Sequence, residues 1–102
     1  MKAKSTSFNK TLDKEKCINL FIRYDYYIHS EDDKTLVMRK AGTEFTTDGE
    51  KFPKKLSFLF KNEETEVSLK YDGFVLFDTG DLQKDLDLIS KRIEDNLNDL
   101  VV

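Results

Sequence analysis

The last quarter of the chain constrains it most. Leu82, Leu86, Ile89, Ile93, Leu97 and Leu100 recur at spacings of four and three, which puts them on one stripe of an α-helix. Such a stripe draws most of its stability from the apolar surface that covers it. The rest of the chain must supply that surface, and its own pattern says it is a sheet. Val67, Leu69 and Tyr71 alternate with Glu66, Ser68 and Lys70, the period of a strand with one wet face. Leu56, Phe58 and Phe60 point one way and Ser57 the other.

The helix carries further marks. Asp87–Lys91 and Lys91–Asp95 are four residues apart and support the exposed face. Asp81 and Asp85 lie near its start, where the dipole favours negative charge, while Asp95 and Asp99 lie at the wrong end. At 102 residues the chain is one domain. A chain this long buries roughly two-thirds of its unfolded surface, enough for one core without staples. Eight Phe and four Tyr, with no Trp, supply the bulk of that core. Rings of this kind suit a pleated surface.

The first half is less clear. Residues 1–10 are small and polar and read as a flexible tail, with Phe8 as one docking point. Residues 12–24 fit two periods. Ile18, Leu20, Ile22, Tyr24, Tyr26 and Ile28 alternate as a strand would. On a helical wheel, Cys17, Ile18, Leu20, Phe21 and Tyr24 fall opposite Lys16, Asn19 and Arg23. We expect a helix over 12–23, capped by Thr11 or Asp13, and a strand over 25–30, since a single strand would be unusually long. A turn at 30–34 leads to a strand over 35–40. A short strand follows over 43–47, then a turn at Asp48-Gly49 and a charged loop over 50–55. Asp72-Gly73 is a hairpin signal, which joins strands near 65–71 and 74–78. Phe74 to Phe77 is apolar on both faces and reads as an interior strand.

The fold class is therefore α+β. The expected architecture is an antiparallel meander of about five strands, with a long C-terminal helix over 82–99 on one face and a short N-terminal helix. Residues 11–102 make the domain.

The apolar run into Asp78-Thr79-Gly80 resembles the active-site triplet of aspartic peptidases of the retroviral type, where each of two identical subunits gives one Asp. The resemblance covers about six residues. It implies that Asp78 pairs with its own copy and that the two carboxylates share a proton. In that family much of the β-fold follows the triplet. Here 22 residues follow Gly80, and they read as helix. The reading that uses every residue is a strand entering a helix start. Asp78, Thr79 and Asp81 then offer oxygens to the free N–H groups, and Gly80 makes the sharp turn.

Other candidates are weaker. Cys17 is the single cysteine, so no intrachain disulfide forms, and it reads as a small buried hydrophobe. His29 has no metal-ligand spacing around it and reads as a strand-end surface residue. Glu31-Asp32-Asp33 lacks the alternation and central Gly of a calcium loop and reads as a solvated turn. Lys2, Lys4, Lys10, Lys14 and Lys16, and Lys51, Lys54 and Lys55, read as solvated surface. Tyr24, Tyr26, Phe58 and Phe60 read as core rather than as a stacking platform for single-stranded nucleic acid. Asn9-Lys10-Thr11 matches a glycosylation sequon with no secretion signal beside it.

No nucleophile–base pair, metal cluster or phosphate loop emerges. The expectation is a small non-catalytic domain for protein interaction or regulation, with a protein partner or a second copy of itself. The alternatives are a small-molecule or lipid-binding domain using the space between sheet and helix, and the dimeric aspartic-type peptidase. The net charge of −3 argues against nucleic acid. No run approaches the ~18 apolar residues of a membrane span. No catalytic, cofactor or metal residue is assigned, and the expected location is the cytoplasm.

Overall fold

The structure is a computed structural model and describes residues 3–42, 52–73 and 80–102. The elements run β1 (Lys4–Phe8), α1 (Lys14–Ile22), β2 (Tyr26–Glu31), β3 (Thr35–Lys40), β4 (Lys54–Lys61), β5 (Glu64–Tyr71), α2 (Asp81–Asp95) and α3 (Leu97–Leu100). The strands form one antiparallel sheet in the order β1-β5-β4-β3-β2. Strands β2 to β5 follow one another as a meander of four, and β1 is the fifth strand of the sheet.

Register explains the core. Met38, Leu56 and Leu69 lie in one row across three strands, and Leu36, Phe58 and Val67 lie in the next row on the same face. All six are buried. Leu82, Leu86, Ile89 and Ile93 of α2 cover this face and are themselves buried. Helix α1 adds Cys17, Ile18, Leu20 and Phe21 to the same cluster. Asp13 caps α1, its Oδ2 accepting from the backbone N–H of Lys16 at 3.0 Å. The ring of Phe21 meets those of Tyr24, Tyr26 and Phe58 at centroid distances of 6.3, 5.9 and 5.8 Å.

Two expectations about the ends of the chain need correction. Residues 4–8 are not a tail. They pair with β5 from Lys4–Leu69 to Phe8–Thr65. Their sequence carries little apolar signal, because of Lys4, Thr6 and Phe8 on the core face Lys4 is exposed and the other two stay half-buried. The long-range hydrogen bonds offered by β5 order them instead. As a result β1 opens the chain, and α1 lies between two strands rather than ahead of the sheet.

The C-terminal helix is also shorter than its stripe. Helix α2 has 15 residues and ends at Asn96 (φ −113°, ψ 14°). The Nδ2 of Asn96 donates to the carbonyl of Arg92 at 2.8 Å, a side-chain bond that competes with continued helix. Asp95 and Asp99 add negative charge where the dipole is already negative. The break re-aims the last turn. Leu100 becomes buried, its carbonyl accepts from Asp13 N–H at 2.6 Å, and Val101 bridges to Leu12.

Strand β5 lies between two others. Both its sides are taken, by β4 along its whole length and by β1 over Thr65–Leu69. Asp72 N–H donates to the carbonyl of Pro53 at 2.7 Å, and the strand near 74–78 that the Asp72-Gly73 hairpin is expected to join lies outside the described residues. The strands expected over 43–47 and 74–77, the Asp48-Gly49 turn, and Asp78 and Thr79 lie outside the described residues. The charged loop over 50–55 is cut short, since Lys54 and Lys55 already belong to β4.

Candidate functional site

Among the described residues the sheet has two edge strands, and they differ. Strand β1 is a short run of Lys, Ser and Thr ending in half-buried Phe8. Strand β2 reads Tyr-Tyr-Ile-His-Ser-Glu, and after Tyr26 all of it is exposed. Tyr27 and Ile28 are 47% and 44% exposed, although Ile28 continues the apolar row of Met38, Leu56 and Leu69. The row therefore runs off the sheet into solvent. Edge strands are ordinarily guarded by Lys, Pro or a bulge. Here a register shift lies between Ile28 and Ser30, and no Lys or Pro stands within the strand.

The local sequence shapes the ends of this edge. Asp25 adopts a positive φ of 69° in the turn that enters β2. At the far end, the Oδ1 of Asp32 accepts from the backbone N–H groups of Lys34 and Thr35, both at 2.9 Å. Those bonds hold the Asp32 carboxyl below its ordinary pKa, the Lys34 N–H most of all. Of the acidic run Glu31-Asp32-Asp33, Glu31 closes β2 and the rest is a turn organised by Asp32.

A second feature sits at the other end of the covered face. Lys54 is 1% exposed, and its Nζ lies 3.0 Å from the Oδ2 of Asp85 on α2. Lys40, Lys54, Asp81, Lys84, Asp85 and Leu88 line a cleft of about 210 Å³ there. Tyr26 shares a row with Lys40 and Lys54. Burial, and then the charge of Asp85, push the Tyr26 phenol above its ordinary pKa, with Arg92 pulling the other way. Lys54 was expected on the solvated surface. It is buried because β4 begins one residue after Pro53 and the alternation turns this lysine onto the covered face. Its long methylene stem fills core space while its ammonium meets a carboxylate.

The other sequence candidates separate. Cys17 is wholly buried, and burial followed by the charge of Asp13 pushes its thiol up to about 12, which removes it as a nucleophile near neutral pH. His29 is exposed on β2. Tyr26 and Phe58 are buried, and Tyr24 and Phe60 pack partly buried against them. Arg92 stacks on Tyr24 at 3.8 Å from the ring centre. These rings serve the core. Thr11 of the sequon donates its hydroxyl to the carbonyl of Lys61 and accepts from Glu63 N–H, each at 2.8 Å. Gly80 takes a φ of 94° and is followed at once by α2. Among the described residues no three His, Cys, Asp or Glu side chains gather as metal ligands would, and no helix is long and apolar enough to cross a membrane.

The sequence reading missed both the Lys54–Asp85 pair and the edge. One signal for the edge was present. Tyr26 to Ser30 is five residues without a formal charge in a chain that is 36% charged. Comparison with known proteins gives no relative: no family model, no curated protein and no solved structure matches the chain.

Proposed function

We propose that this chain is a non-catalytic interaction domain that works by adding a strand from a protein partner to the edge of β2. The carrying observation is the open edge itself, with Tyr27 and Ile28 half-exposed on a strand whose other side is paired with β3 on both sides of the bulge. An extended segment laid along β2 gains main-chain hydrogen bonds, and the alternating side chains give specificity. An apolar residue beside Ile28 would extend the Met38–Leu56–Leu69 row by one more strand. On the open face, the added strand runs beside Tyr27, whose own row continues through Arg39, Lys55 and Lys70.

The test is capture from the native source with the wild-type chain and with Ile28→Lys, followed by mass spectrometry. Proteins retained by the wild type and lost by the variant support strand addition. The same proteins on both would sink it.

A further inference from the structure

The two ends of β2 carry opposite charge. At its start, Arg23 lies in the entering turn, and Arg39 and Lys40 pair across from Tyr27 and Tyr26. The acids beside them are Asp25, and Asp72, which is held on the Arg39 guanidinium. At its far end stand Glu31, Asp32 and Asp33, against Lys14, 4.0 Å from Glu31, and Lys34. Bases outnumber acids at one end, and acids outnumber bases at the other. The middle is uncharged. A strand with this layout is complementary to itself run backwards.

We propose that the partner at β2 is a second copy of this chain, paired edge to edge about a twofold axis. This rests on the strand-addition reading and names its partner. A twofold axis makes the two edge strands antiparallel and brings the basic end of each onto the acidic end of the other. The irregularity in β2 fits that arrangement. Across the bulge the alternation shifts by one, so Tyr27 and Ser30 share the open face while Tyr26 and Glu31 share the covered face. Pairing Tyr27 with the partner subunit's Ser30, and Tyr26 with the partner subunit's Glu31, keeps both faces matched. Lys40 holds its ammonium 5.9 Å from the centre of the Tyr26 ring, and across that ring it meets the partner subunit's Glu31. The result is one continuous sheet across both copies. Strand β1 offers no such symmetry, since its charge lies in Lys4 alone and its other exposed side chains, Ser5 and Ser7, are small.

Sedimentation velocity on the full chain over about 5–500 μM tests this, with a thermal melt of every variant. The expected result is a concentration-dependent monomer–dimer equilibrium. Ile28→Lys and Glu31→Lys each weaken it at least about tenfold, and Lys40→Glu added to Glu31→Lys restores it. Glu31 is exposed, so the charge variants give a reading even where Ile28→Lys does not fold. A wild type that stays monomeric throughout overturns the proposal, as does a dimer indifferent to Glu31→Lys. A monomeric wild type that still captures proteins through β2 sinks the second copy alone and leaves strand addition standing.

Discussion

Lys54 and Asp85 join the sheet to the helix that covers it, with Nζ and Oδ2 3.0 Å apart and the lysine 1% exposed. The two residues are not equivalent, because the Asp85 side chain keeps 20% of its surface in water. Asp85→Ala takes one carboxylate away from a cation at a site closed to solvent and should cost about 1–3 kcal/mol. Lys54→Met removes that cation, keeps most of the stem and should cost less, since the carboxylate left behind is partly hydrated. Urea melts of the two variants and of the double variant check this. Equal losses would mean that the burial asymmetry does not govern the pair.

Ile93 is wholly buried between α2 and the sheet. Ile93→Ala should cost about 2–5 kcal/mol, through lost transfer energy and the cavity left behind. Leu88, on the same helix but 52% exposed, is the internal control, and Leu88→Ala should fall within about 0.5 kcal/mol of wild type. Chemical denaturation of both settles the orientation of the helix in solution.

Gly80 enters α2 at φ 94°, and a Cβ built there meets nothing within 4 Å among the described residues. The positive φ makes Gly80→Ala cost about 1–2 kcal/mol of backbone strain, as for a left-handed residue. Gly80→Asn should lose less, since Asn visits that region more readily than Ala. A melt in which Ala is harmless would remove the positive φ.

Cys17 gives a pH prediction. Its thiol is raised from an ordinary 9.0 to about 12 by burial and by Asp13. Above pH 9.0 the unfolded thiol loses its proton while the folded one keeps it. The stabilising contribution is thus full below pH 9.0 and is lost progressively as pH rises toward about 12. Cys17→Ala removes this component. The difference in stability between wild type and variant should shrink over that window, and a constant difference would contradict the shift.

The helix stripe and the strands over 35–40, 56–60 and 65–71 were legible because their periods are set by their own residues. Leu82 to Ile93 needs only the spacing of a helix, and Val67 to Tyr71 only the alternation of a strand. Strand β1 was not legible, since Lys-Ser-Thr-Ser carries almost no apolar signal and is ordered by hydrogen bonds to β5, more than fifty residues away. The break at Asn96 was equally hidden. The apolar stripe runs through it without a pause, and the stop comes from a side-chain bond to Arg92.

The site divides in the same way. By itself the sequence determined which side chains are apolar, where the periods change, and that Tyr26 to Ser30 is a patch without formal charge. Only the tertiary structure decided that this patch lies on an open edge, because edge or interior depends on which strands pair, and β1 joined the far side of the sheet by docking on β5. It alone turned Lys54 from a surface lysine into the buried partner of Asp85. Local period fixes which way a residue points. The strands and helices that pack around it fix what it points at.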